Sequence, residues 1–181
     1  LSPPLLIDLL AFTADPLTQC FGSLDLDALG SPVIWVGPEP APVWLDVARE
    51  YTERWHHQQH IRDAVERPGL TEPRFLAPVI ATFVHALPHA FYAAEASPGT
   101  AVHFHVAGDS GGDWSVVKEP DRWRLYEGAP SVANARVSFE ESIAWRLFTK
   151  IVTPEDASAS AVLDGDERLG RLALRAVAII A

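Results

Sequence analysis

Hydrophobic residues recur at helical spacing through the first half of the chain. Residues 5–21, 43–63 and 72–92 each place apolar side chains three or four positions apart, and each is predicted to form a helix. In the middle segment the apolar residues fall within one arc, which should face a core. The members of this stripe are Trp44, Val47, Ala48, Tyr51 and Trp55.

After residues 96–99 the apolar period changes from 3.6 to 2. Val102, Phe104 and Val106 alternate with polar or small residues, which predicts a strand buried on one face. The remaining pattern predicts strands at 114–118, 122–126, 135–139 and 159–163, and helices at 140–150, 154–157 and 167–180.

The predicted fold class is therefore α+β, in two domains. Residues 1–97 are expected to form a helical unit, and residues 98–181 a small α+β unit.

Five polar residues share the face of the middle helix that lies away from its apolar stripe. Glu53, His56, His57, His60 and Asp63 fall within three turns, so imidazoles spaced i,i+4 lie one above the other. Such a pair can bind one zinc or related divalent ion, while Glu53 or Asp63 orients an imidazole through its other nitrogen. A complete site needs a further ligand from elsewhere. The alternative is that this histidine face is ordinary solvated surface.

Composition and net charge limit the classes of partner and the location that we expect for this chain. The chain has 181 residues, 48% of them hydrophobic, and a formal net charge of −10, which disfavours contact with a phosphate backbone, so we expect no nucleic-acid partner. Apolar stretches are too short to span a bilayer, and residues 1–10 lack a basic start, so neither a membrane segment nor a secretory signal is expected. A single cysteine fits a reducing compartment, and a cytoplasmic location is expected. The chain contains no methionine, which suggests that its natural start is missing.

The second unit offers two further candidates. His103 and His105 share one side of a strand, where this spacing can bind a metal, but the favoured interpretation is solvent exposure without a metal. Trp114, Trp123 and Trp145 could line a small apolar pocket or belong to the core. Cys20 lies in an apolar helical pattern and is expected to be buried, and no catalytic residue is assigned.

Two phrases carry a resemblance to a known family. GPEPAPVWLDVAREYTERW at 37–55, continued by HQQHIRDA at 57–64, resembles bacterial proteins related to mycothiol-dependent maleylpyruvate isomerase, which belong to the DinB-like group of metal-binding four-helix bundles. AWRLFTK at 144–150 and the ending LRAVAIIA at 174–181 resemble the sterol-carrier-like α+β domain that follows the bundle in those proteins.

The resemblance implies a divalent metal, usually zinc, held between bundle helices, with a low-molecular-weight thiol as cosubstrate. His60 and Asp63 match the His-x-x-Asp end of the family's ligand pattern, whereas His56 stands where the family has Glu. The early helix with its own histidine ligand would precede Leu1, so residues 1–97 are expected to be a partial DinB-like bundle.

These observations support two functional hypotheses. The first is a metal-dependent, thiol-utilising isomerase or S-transferase-like protein that acts on a small molecule, with a zinc-bound thiolate as nucleophile. The second is a non-enzymatic module that binds a small apolar ligand or serves in a stress response. The sequence leaves open whether the protein is an enzyme, which substrate it takes and its oligomeric state.

Overall fold

The computed structural model describes residues 2–179 and has a mixed α+β fold. The helices are α1 (Pro3–Gly22), α2 (Val43–Ala64), α3 (Pro73–Phe83), α4 (Leu87–Ala90), α5 (Glu141–Phe148), α6 (Pro154–Ser160) and α7 (Glu167–Ala173). The strands are β1 (Leu29–Pro32), β2 (Pro40–Pro42), β3 (Ala101–Ala107), β4 (Gly112–Lys118), β5 (Trp123–Glu127), β6 (Ala135–Glu140) and β7 (Val162–Gly165).

Five strands form the main sheet, in the order β5-β4-β3-β6-β7. The central strand β3 pairs antiparallel with β4 and parallel with β6. Val102, Phe104 and Val106 are buried, as the alternation predicted, and α5 and α7 pack against β3 and β6. The face that carries His103 and His105 is more open to water.

The predicted helix at 72–92 is interrupted. A single turn of 3-10 helix, Val84–Ala86, separates α3 from the short α4. Pro88 lies in the first turn of α4, where its missing amide hydrogen costs nothing, but it cannot continue the hydrogen bonding of the preceding helix. The helical pattern over residues 72–92 is therefore interrupted where Pro88 removes a hydrogen bond to Val84.

The predicted helix at 167–180 ends early, at Ala173. The amide of Ala178 donates to the carbonyl of Phe148 over 2.9 Å, so this stretch pairs with the end of α5 rather than with its own preceding turn. Residue 180, the last of the predicted element, lies outside the described residues.

One hydrophobic core spans the boundary between residues 97 and 98. Phe83 of α3 meets Phe148 of α5 with ring centroids 5.8 Å apart, and both side chains are fully buried. The two predicted units therefore share apolar packing through α3 and α5.

The structure does not show the DinB-like bundle that was expected for residues 1–97. Among the described residues of this half, α2 packs against α3 and against the small β1–β2 sheet, whereas α1 buries none of its side chains. Leu10 and Phe12 of α1 are 70% and 78% exposed. Cys20, expected to be buried, is exposed because it belongs to this uncovered helix. Across residues 2–179, no helix combines the length and apolar character needed to cross a bilayer.

Candidate functional site

An apolar cleft of about 640 Å³ opens between three segments of the chain. Its walls are the proline-rich stretch 32–39, the region of α4 and the turn that joins β4 to β5. Small-molecule sites in proteins commonly occupy roughly 300–1,000 Å³ and are mostly apolar. We refer to this site as the Trp123 cleft, after one of its lining residues.

Trp123 lines the cleft and is held in a fixed position. Its side chain is only 5% exposed, and its indole N–H donates to the carbonyl oxygen of Ala94 over 3.1 Å. Its ring also packs against Phe91, with centroids 5.0 Å apart. Because one hydrogen bond and one aromatic contact orient the indole, its position is set before any ligand arrives.

A second wall of the cleft is formed by a tight turn at residues 33–36. Val33 and Trp35 are buried, so the intervening Ile34 is turned outward and remains 75% exposed at the cleft. The amide of Val36 donates to the carbonyl of Val33 over 2.8 Å, which closes the turn that carries Ile34. A large aliphatic side chain is thereby presented to the cleft and not to the core.

Polar groups line the same cleft. Tyr92 is 78% exposed and stacks on His89, with ring centroids 5.4 Å apart and planes 15° apart. Arg122 and Asp121 approach only to 4.0 Å and both remain well exposed. A ligand that enters the cleft therefore meets a mainly apolar interior with a few hydrogen-bonding groups around it.

The three tryptophans predicted to share a pocket lie in three places. Trp123 lines the cleft, whereas Trp114 faces Phe104 across the β3–β4 pair and packs on the core. Trp145 is 2% exposed and meets Trp55 edge to face. The sequence could not separate these roles, because each position reads as an aromatic residue within an apolar pattern.

The histidine face of α2 is divided between core and solvent. His56 is 7% exposed, and its Nε2 has no hydrogen-bond partner among the described residues. His57 is largely exposed and lies 3.5 Å from a carboxylate oxygen of Glu53. His60 is exposed, with its ring centroid 4.2 Å from that of His56. Asp63 is also exposed.

Burial, together with the smaller effects of the neighbouring His60 and His57, lowers the pKa of His56 to about 4. His56 is therefore neutral at physiological pH, which is the form that binds metals. Within residues 2–179, however, the three α2 histidines do not bring three ligand atoms together. Zinc binding at this face stays a prediction.

A different group of three does come together, on the open face of the sheet. Asp113 Oδ1 lies 2.7 Å from His103 Nε2 and 2.9 Å from His105 Nδ1. The hydrogen bond from His103, followed by a weaker one from His105, lowers the pKa of Asp113, while partial burial acts in the opposite direction. The sequence pointed to the two histidines, but Asp113 was missed because its approach depends on the pairing of β3 with β4.

Comparison with known proteins gave limited matches. No family model matches the chain, and no curated protein matches it. Among solved structures, it is similar to sterol carrier protein 2 like 2 from Aedes aegypti, at 19% identity and a TM-score of 0.43, covering 56% of this chain and 97% of that one. It is also similar to the ubiquinone synthesis protein UbiJ-SCP2, at 19% identity and a TM-score of 0.37, covering 54% and 92%.

A third similar structure is the apo form of sterol carrier protein 2 from Yarrowia lipolytica. Here the identity is 10% and the TM-score 0.33, and the match covers 75% of this chain and 90% of that one. All three are sterol carrier protein 2-like structures, and none of the three is a DinB-like or maleylpyruvate isomerase protein.

Proposed function

We propose that this protein binds a small, predominantly apolar molecule in the Trp123 cleft. The observation that carries the proposal is a mainly apolar cleft of about 640 Å³ whose lining residue Trp123 is held in place by Ala94 and Phe91. A ligand that covers the exposed side chains of Ile34 and Tyr92 gains roughly 25 cal/mol for each Å² of apolar surface removed from water.

A fluorescent probe tests this proposal directly. N-phenyl-1-naphthylamine is neutral and apolar, and its emission increases when it leaves water, so its titration into the full chain measures binding to apolar surface. We expect saturable binding that is unaffected by a chelator, because the proposed contact is made by apolar side chains.

The matched variants are Ile34→Glu and Val132→Glu. Both residues are aliphatic and about three-quarters exposed, but only Ile34 lines the cleft. A carboxylate at position 34 must lose water when the probe binds, so I34E should weaken binding at least about tenfold, or roughly 1.4 kcal/mol. V132E should leave it unchanged. Equal binding by the two variants would place the probe elsewhere, such as on α1, and would refute the proposal.

Metal-dependent thiol chemistry is a second candidate, and the specific observation in its favour is the state of His56. Its imidazole is neutral, its Nε2 lacks a hydrogen-bond partner among the described residues, and His60 lies beside it. A divalent ion held there would favour the thiolate form of a bound thiol. The described residues supply no third ligand atom at this face, so we derive no reaction step from it.

A further inference from the structure

We propose that His103, His105 and Asp113 form a binding site for one borderline divalent transition-metal ion, of the zinc, cobalt or iron(II) class. This site is separate from the Trp123 cleft, whose lining includes none of these three residues. It is also separate from the α2 histidines. The proposal therefore stands or falls independently of the proposed function.

Strand pairing creates the site. His103 and His105 are two residues apart on β3, so both side chains leave the same face of the sheet. Asp113 is the direct antiparallel partner of His105 on β4, which places its carboxylate on that face as well. The backbone hydrogen bonds of two neighbouring strands thus hold the three groups, and no flexible loop is needed to bring them together.

The ligand atoms are close enough to share one ion. All three lie within 4.8 Å of one another, and both imidazole nitrogens contact the same carboxylate oxygen. Ligand atoms in a tetrahedral zinc site stand roughly 3.3 Å apart, given metal–ligand distances of about 2.0–2.1 Å. The two contacts, at 2.7 and 2.9 Å, therefore need to open by only about half an ångström, which small side-chain rotations can provide.

Burial and charge also suit a metal. The side chain of His103 is 16% exposed, whereas those of His105 and Asp113 are 39% and 43% exposed, so the group is sheltered on one side and open on the other. Arg136, the register neighbour of His103 on β6, directs its guanidinium to Asp164 at 3.3 Å. The positive charge of Arg136 is therefore paired with the carboxylate of Asp164.

The chemistry of the donors selects the class of ion. Two imidazoles and one carboxylate suit zinc, cobalt or iron(II), whereas calcium and magnesium require mainly oxygen ligands. Three protein ligands on one face leave coordination positions free for water or another small molecule. The alternative is a metal-free cluster in which Asp113 accepts an N–H from each imidazole.

Cobalt binding distinguishes these two states. The titration is made on the double variant His57→Ala/His60→Ala, which removes the exposed α2 histidines as a competing site. Visible absorption of Co²⁺ reports the bound ion and its coordination, and competition with Zn²⁺ reports the relative affinity. We expect one Co²⁺ per chain, displaced by Zn²⁺ but not by Mg²⁺.

Single changes in this background test the ligands. Asp113→Asn and His105→Ala should each weaken binding more than about a hundredfold, which exceeds the usual effect of removing an outer-shell partner. Asp109→Asn is the matched control, because it removes the same charge from an exposed position in the loop between β3 and β4. Circular dichroism and thermal melting show whether each variant is folded, and the two ligand variants together guard against the misfolding of either.

Three results would overturn the proposal. They are the absence of stoichiometric Co²⁺ binding in the starting variant, retention of binding in folded D113N and H105A, and an equal loss in D109N. The last would indicate a general effect of charge and not coordination.

Discussion

Trp55 and Trp145 meet edge to face with ring centroids 5.1 Å apart, although ninety residues separate them in sequence. Trp55 belongs to α2 and Trp145 to α5, so the contact joins the two halves of the chain. The indole N–H of Trp55 donates to the carbonyl of Leu70 over 2.9 Å, which fixes one ring. Trp145 is 2% exposed, and the guanidinium of Arg146 lies over its ring, 4.3 Å from the centroid.

Loss of the Trp145 side chain should destabilise both halves together. Trp145→Ala removes a large buried group that the surroundings cannot replace, so the free energy of unfolding should fall by about 3–5 kcal/mol. Urea unfolding monitored by far-UV circular dichroism and by tryptophan fluorescence should give one shared transition. Tyr126→Ala, at a 43% exposed position on β5, is the control and should cost much less. Two separated transitions in the wild-type chain would contradict a shared core.

The stability of the fold should depend on pH through His56. Its pKa is about 4 in the folded state against 6.5 for an ordinary histidine, so the unfolded chain binds more protons between these values. The stability that neutral His56 contributes to the fold is fully present above pH 6.5 and is lost as the pH falls towards 4. Stability at pH 5 should be lower than at pH 7 by on the order of 1–2 kcal/mol from this group.

The comparison that isolates this contribution uses His56→Gln and His57→Gln. The first variant should lose the His56 part of the pH dependence, because its side chain does not titrate. The second should keep nearly all of it, since His57 is largely exposed. Identical pH profiles of unfolding for the two variants would show that His56 is not the group responsible.

A test of zinc binding at the histidine face of α2 must exclude binding by the histidines of the sheet. The His103→Ala/His105→Ala variant removes the β-strand imidazoles, so any remaining zinc must be bound elsewhere. If α2 binds the ion, adding His60→Ala should weaken binding at least about tenfold, whereas adding His85→Ala, on the turn after α3, should not. Calorimetry measures the affinity. If the His103→Ala/His105→Ala variant binds no zinc, the hypothesis of a zinc site on α2 is refuted for the described chain.

Gly111 should be essential to the β3–β4 hairpin. A Cβ at this position would lie 1.9 Å from the carbonyl oxygen of Val106, so Gly111→Ala forces the backbone of the turn to move. We expect a loss of more than about 2 kcal/mol in the free energy of unfolding. Gly22→Ala is the control, because nothing lies within 4 Å of a Cβ there. Equal stabilities would mean that the turn relaxes without cost.

The sequence predicted those elements that depend on local pattern. Alternation at Val102, Phe104 and Val106 gave β3, and Thr153 followed by Pro154 gave the start of α6, where the Thr153 hydroxyl accepts from the amide of Asp156. These features need only a few neighbouring residues, so a single sequence contains the required information.

The sites depended on packing between distant segments. Nothing local indicates that His56 turns inward while His60 stays exposed, because this depends on which residues cover α2. The contact between His105 and Asp113 required the hairpin register, which the turn at 108–111 sets. Of the Trp123 cleft, the sequence indicated only Trp123 itself, because the walls of the cleft come from three separate stretches.

The position of β3 at the centre of the sheet also bears on how fast the chain folds. Its pairing with β4 closes a short loop. Its parallel pairing with β6 closes a longer one, because β4 and β5 lie between these two strands in the sequence. Because long-range closures cost chain entropy before they yield contacts, the hairpin should form early and the junction with β6 late. Refolding of this chain should therefore be slower than that of a purely helical protein of equal size.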